Sequence, residues 1–205
     1  MRLVLASASP ARLAVLRAAG IEPTVRVSTV DEDAVAAGLA DPSPAQLVGA
    51  LAQAKADDVA KAVADEYPDC VLIGCDSMLA IDGEVLGKPR TVDVALARWR
   101  AMAGRAGELL TGHAVCKLEH GSVVAQAQDV RTTTVHFGQP SERELAAYVE
   151  SGEPLLVAGG FTIDGLGGWF IDRIDGDPSC VVGLSLPLTR RLLRDVGCGV
   201  VDLWH

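Results

Sequence analysis

The chain alternates short, wholly apolar runs with longer stretches whose apolar residues recur every three or four positions. Leu3-Val4-Leu5 is one such run, the composition of a strand covered on both faces. Ser9-Pro10 follows it. Ser9 is placed as a helix cap, and Pro10 takes the first helical position, where a missing N–H costs nothing. Gly20 closes that helix. Residues 25–30 alternate apolar and polar side chains and predict a second strand. Asp31-Glu32-Asp33 comes next, then a connection containing Gly, Pro and Ser to Pro42. Ser43-Pro44 opens a long helix with Leu47, Leu51, Ala54, Val59, Ala62 and Val63 at helical spacing, stopped by Pro68. Residues 70–75 form a second apolar strand that ends on Asp76.

Farther along, residues 78–86 read as a hairpin around Asp82-Gly83, and Gly87-Lys88-Pro89 as a turn. Thr91 starts a helix with Leu96, Trp99 and Met102 on one face, ended near Gly104. Residues 109–118 and 123–137 are strand-like and meet at His120-Gly121. Ser141-Glu-Arg-Glu144 is a capping box opening a short helix through Tyr148. The glycine-rich residues 158–170 predict a bent hairpin, residues 186–195 a last helix and residues 199–203 a last strand. Strand–helix units mixed with hairpins predict an α/β fold with a mixed sheet. No linker divides the 205 residues, so a single domain of two lobes around a cleft is expected.

Composition narrows the function. Hydrophobic residues make up 49 % of the chain and aromatics 4 %, so the core is aliphatic and large enough to stand without staples. The formal net charge of −9 argues against a nucleic-acid or anionic-membrane surface and leaves room for a local anion pocket. Five cysteines with no C-x-x-C argue against a disulfide framework or a structural zinc site and for a reducing compartment. With no signal-peptide pattern and no membrane-length apolar run, a soluble cytoplasmic protein is expected.

The candidate chemistry is scattered, and each signal has a plain structural reading beside it. Ser7, Ser9 and Arg12 surround a strand-to-helix turn whose free N–H groups suit an anion, phosphate above all; the same residues also describe a simple capped helix. Asp76 follows six uncharged residues, where a charge is expensive unless it lies in a cleft or is paired; a turn cap is the alternative. Glu32, with Asp31, stands at the end of the expected second strand. Paired with Asp76 it suits magnesium, and alone it is an acidic loop. Lys88, fixed between a glycine and a proline, suits a phosphate contact or a solvated turn. Lys55, read as facing away from Leu51 and Val59, is surface charge when taken alone. His113 is a base or a hydrogen-bonded sheet residue. There is no Walker A motif, no dinucleotide-binding glycine motif and no nucleophile elbow.

The order of these signals resembles the Maf family of nucleoside triphosphate pyrophosphatases, the septum-formation inhibitor-like proteins. The motifs are Leu5-Ala-Ser-Ala-Ser-Pro-Ala-Arg12, Asp31-Glu32, Lys55-Ala56, Asp76-Ser77, Gly87-Lys88-Pro89, Gly112-His113, Tyr148 with Gly152-Glu153-Pro154, Ala158-Gly159-Gly160-Phe161 and Val182-Gly183-Leu184. The resemblance implies a fold like that of inosine triphosphate pyrophosphatases, with a long mixed sheet flanked by helices. It implies cleavage of the α–β phosphate bond of a nucleoside triphosphate, a divalent metal (Mg²⁺ or Mn²⁺), a homodimer, and a house-cleaning role on non-standard or excess nucleotides. It makes Asp76 the general base or metal-linked carboxylate and Glu32 its companion on the metal side. Ser7, Ser9, Arg12, Lys55 and Lys88 hold the triphosphate, and Asp164 stands at the base-selecting position. Four positions depart from the family pattern: Ala11 replaces an arginine, Ser77 a threonine, Val157 a lysine and Asp164 a glutamine. Base preference is therefore open. The lost cations at 11 and 157 leave a non-catalytic nucleotide-binding regulator of septation as the alternative.

Overall fold

In the computed structural model, which describes residues 1–204, the elements follow in the order β1 (Arg2–Ala6), α1 (Pro10–Ala18), β2 (Thr24–Val25), α2 (Glu32–Ala37), α3 (Pro44–Val63), β3 (Cys70–Ile81), β4 (Glu84–Leu86), α4 (Val92–Met102), β5 (Ala106–Glu119), β6 (Ser122–Phe137), α5 (Glu142–Glu150), β7 (Ile171–Asp175), α6 (Pro178–Val182) and α7 (Leu186–Asp195). They form two compact units. The first comprises Met1–Asp76, Thr111–Arg131 and the chain from Gly183 onward; the second comprises Ser77–Leu110 and Thr132–Val182.

In the first unit β1 lies between β2 and β3 and runs parallel to both, with Arg2 opposite Cys70 and Ala6 opposite Gly74. Side chains alternate faces along each strand. Leu3, Leu5, Val71, Ile73, Cys75 and Val115 therefore pack on one side with Leu16 of α1 and Leu188, Leu192 and Leu193 of α7. Val4, Ala6, Cys70, Leu72, Ala114 and Cys116 pack on the other side with Ala52, Ala56, Val59 and Val63 of α3. This sheet covered on both faces is what the apolar runs predict. Helix α3 comes very close to it. A Cβ on Gly74 would collide with the Ala52 carbonyl and lie 2.9 Å from Ala56 N, and one on Gly112 would collide with the Val48 carbonyl and lie 2.9 Å from Gly49 N.

In the second unit the turn at Asp82-Gly83, both with positive φ, joins β3 to an antiparallel β4. β7 runs antiparallel to β6, with a register shift between His136 and Phe137. The sheet is thus mixed and flanked by helices, as expected. The core of this unit gathers round Trp99 of α4, which meets Phe137, Tyr148 and Phe170 edge-on at 5.7, 5.6 and 5.9 Å and donates its indole N–H to the Gly160 carbonyl.

Several expectations change. The second strand stops at Val25: Arg26 N still donates to the Leu5 carbonyl at 3.0 Å, but farther on the Thr29 N–H is taken by Asp58 at 2.7 Å and the Val30 N–H by the Ser28 hydroxyl. Asp31 caps a short helix, α2, where a loop was expected. β3 does not end at Asp76 but runs through it to Ile81. The glycine-rich segment is no hairpin; it folds as 3₁₀ turns at Ala158–Gly160 and Leu166–Phe170. The Glu153 carboxylate accepts from Thr162 Oγ1 and from the N–H groups of Leu166 and Gly167, so a carboxylate replaces a strand partner there. The expected last strand is a 3₁₀ turn, Val200–Leu203, closed from Asp202 N to the Gly199 carbonyl. Among the described residues no helix is long and apolar enough to cross a membrane.

Candidate functional site

The first unit gathers Ser7, Ser9, Arg12, Glu32, Lys55 and Asp76. The turn after β1 is built as its sequence reads. Ser9 caps α1, its hydroxyl accepting from Arg12 N at 3.4 Å, and Ser7 Oγ accepts from Ser9 N at 3.2 Å. The Arg12 guanidinium folds back over this turn. Its Nη1 donates to Ser7 Oγ at 3.1 Å and to the Cys75 carbonyl at 2.8 Å, and its Nε donates to the Gly183 carbonyl at 2.8 Å. The β1 turn is thereby fastened to the residue that precedes Asp76. Two seryl oxygens, the N-terminal end of α1 and one guanidinium surround this place, a set of donors suited to phosphate oxygens.

Asp76 is 8 % exposed. It lies two residues beyond Gly74, on the same face of β3, where α3 presses on the strand. Lys55, one residue from Ala56 on that helix, therefore arrives above it. Lys55 Nζ lies 2.6 Å from Asp76 Oδ1 and 2.7 Å from Glu32 Oε1, and its side chain is 13 % exposed. The reading of Lys55 as surface charge is overturned. Four residues return a helix to the same face, so Lys55 shares the side of Leu51 and Val59 instead of opposing it. Burial pushes the Asp76 carboxyl above its ordinary 3.8; Lys55 and Arg12 pull it back and Glu32 adds to the rise, with burial dominant. One ammonium thus sits between two carboxylates, one buried and one at the surface.

The other candidates fall elsewhere. Lys88 is exposed and belongs to the second unit. Its turn is rigid: the Gly87 carbonyl accepts from Arg98 Nη1 at 2.7 Å and Gly159 N at 3.3 Å, and Arg90 N donates to the Leu155 carbonyl at 2.9 Å. Asp164 is also exposed and in the second unit, on the loop that Glu153 ties together. Ala11 lies half-buried on the first turn of α1. His113 is fully buried in β5, its Nδ1 3.0 Å from the Thr111 carbonyl and its Nε2 accepting from Ser185 N at 2.8 Å, which is the hydrogen-bonded sheet reading. Sequence reasoning missed the carbonyls of Cys75 and Gly183, because main-chain acceptors carry no residue signature. It also missed the anchoring role of Glu153, although Glu153 stands inside a quoted motif.

Known proteins resemble this chain along nearly its whole length. Residues 2–196 match the family described as Maf-like protein. The chain is 66 % identical over 205 residues to a nucleoside triphosphate pyrophosphatase of Saccharopolyspora erythraea, covering 100 % of this chain and 97 % of that protein. It is 64 % identical over 204 residues to one of Nocardia farcinica, covering 99 % and 96 % respectively. Among solved structures it is similar to a nucleoside-triphosphatase / dITP/XTP pyrophosphatase of Mycobacterium abscessus, with 17 % identity, a TM-score of 0.36, and coverage of 68 % of this chain and 76 % of that one.

Proposed function

The chain belongs to the Maf family, and on that premise we propose that it hydrolyses the bond between the α- and β-phosphates of a nucleoside triphosphate, giving the monophosphate and pyrophosphate. The observation that carries this reading is the buried carboxylate of Asp76 held against Lys55, with the Ser7–Arg12 turn fastened to the preceding residue. In the reaction a water oxygen bonds to the α-phosphorus. The bridging P–O bond breaks, pyrophosphate leaves with that electron pair, and the water gives up a proton. Asp76 is the acceptor for that proton. Desolvation makes it a stronger base than an exposed aspartate, and the Lys55 ammonium beside it favours the ionised form against that burial. Arg12, Lys55 and the seryl turn carry the negative charge that spreads over the phosphates as the bond breaks.

The resemblance also implies a divalent metal, and the donors suit one. Glu32 and Asp76 offer hard carboxylate oxygens gathered around a single point, the Lys55 ammonium. Magnesium and manganese favour a few carboxylates with phosphate oxygens completing the shell. Bound there, the ion would supply Lewis-acid charge to the phosphates.

The test is a panel of standard and modified triphosphates incubated with the purified protein and Mg²⁺ or Mn²⁺. Pyrophosphate is the expected first inorganic product, lost on chelation. Orthophosphate first, or nucleotide binding with no turnover across the panel, would overturn the proposal; the latter result would favour a regulatory binder. The same panel tests the roles the resemblance gives to the second unit. Lys88→Ala should raise KM, and Asp164→Gln should reorder the preferred bases.

A further inference from the structure

His113 of the Gly112-His113 motif and Gly183 of the Val182-Gly183-Leu184 motif both lie in the first unit, and neither touches the reacting atoms in the chemistry above. His113 is fully buried. A peptide N–H can only donate, so His113 Nε2, 2.8 Å from Ser185 N, is the acceptor. Its proton therefore sits on Nδ1 and is donated to the Thr111 carbonyl at 3.0 Å, a neutral ring in one tautomer. A buried imidazole is a costly way to fill a strand position that an aliphatic side chain would fill more cheaply. What it adds is a fixed acceptor for the segment entering α7. Ser185 is the cap of that helix, its hydroxyl accepting from Leu188 N at 3.2 Å. Two residues earlier Gly183, with φ of +118°, turns its carbonyl to the Arg12 Nε–H at 2.8 Å.

We propose that His113 is a positioning residue for Arg12. By holding the Ser185 N–H it sets the direction of the Gly183 carbonyl, and that carbonyl orients the guanidinium over the Ser7 turn. Two other tethers of Arg12, Cys75 O and Ser7 Oγ, both engage Nη1. The Gly183 contact engages a different nitrogen, Nε, and so restricts rotation of the guanidinium plane about them. The inference rests on the reading of Arg12 as a phosphate contact.

The experiment measures binding of inorganic tripolyphosphate by calorimetry, with kcat and KM on the best triphosphate of the panel, for His113→Leu, His113→Gln and Arg12→Ala and for each His113 variant combined with Arg12→Ala. His113→Leu is expected to weaken tripolyphosphate binding about five- to tenfold, the scale of one lost hydrogen bond. KM should rise in proportion, with kcat within about twofold. His113→Gln, which keeps an acceptor, should recover most of the loss. On the Arg12→Ala background His113→Leu should add almost nothing. Equal losses with and without Arg12, or unchanged binding in His113→Leu, would overturn the inference. Unchanged binding in Arg12→Ala would instead remove the phosphate role of Arg12, and the inference with it. If His113→Leu does not fold, His113→Met fills the same volume without an acceptor and takes its place.

Discussion

Asp76 works against its surroundings, and that conflict makes it testable. Asp76→Asn is expected to lower kcat by about 10²–10⁴-fold, the usual share of a general base. Its Tm at neutral pH should equal or exceed that of the wild type. A carboxyl whose pKa is raised in the fold costs stability once ionised, and Lys55 keeps Glu32 as a partner when Asp76 is neutralised. Undiminished pyrophosphate release would show that another group takes the proton. The pH profile has a defined sign. Asp76 accepts a proton only when ionised, so kcat/KM should fall on acidification at a pH above the ordinary aspartate value of 3.8. Ala11→Arg is expected to lower KM about threefold by adding a cation beside the seryl turn, on the scale of a surface charge–phosphate contact. Asp76 was legible in the sequence because a charge ending six uncharged residues needs a reason. Lys55 was not. Its neighbours Ala54, Ala56, Asp57 and Asp58 look like a solvated helix face, and its partner lies 21 positions away on another element.

Between elements, the decisive contact is the one without side chains. Gly74 and Gly112 let the backbone of α3 rest on β3 and β5, and this sets the reach from Lys55 to Asp76. Gly74→Ala should therefore lower Tm, costing about 1–3 kcal/mol or more by overpacking, and should lower kcat/KM at the same time. Gly87→Ala, where a Cβ meets nothing within 4 Å, should leave Tm unchanged. If thermal denaturation ranks the two variants alike, close packing of α3 is not what holds the pair. The capped helices α1, α3, α4, α5 and α7 were readable, since each starts on a Ser or Thr that takes up an early N–H. The second strand and the glycine-rich loop were misread for one shared reason. Distant carboxylates, Asp58 and Glu153, take backbone N–H groups that a period-two pattern assigns to a ladder.

Each unit holds its own apolar cluster, aliphatic in the first and centred on aromatic rings in the second. None of the five cysteines forms a disulfide, and all are buried. Burial pushes the Cys116 thiol to about 11 and raises Cys70 and Cys198, which suppresses the reactive thiolate. The folded protein should thus show almost no reaction with a thiol reagent such as Ellman's, and denaturant should release all five groups. Rapid labelling of one thiol in the native state would contradict this packing. At this scale the sequence was most informative through the order of its motifs, which carried the family even where single residues were ambiguous. Composition spoke only to exclusions, because charge and cysteine counts say nothing of which carbonyl an arginine meets.

The shared ammonium of Lys55 has one more consequence. It is a resident counter-ion, wired into the chain at a place where two negative charges must stay close before any ligand arrives. An arriving cation has less to gain there, since one of the two charges is already matched. Exchange Lys55 for methionine and the two carboxylates lose their tether and repel, so an external divalent ion gains a vacancy with a real energetic demand. Added Mg²⁺ should then raise the Tm of Lys55→Met more than that of the wild type, by simple mass action on the folded state. A lysine on this view delays occupancy until the phosphates come to claim it.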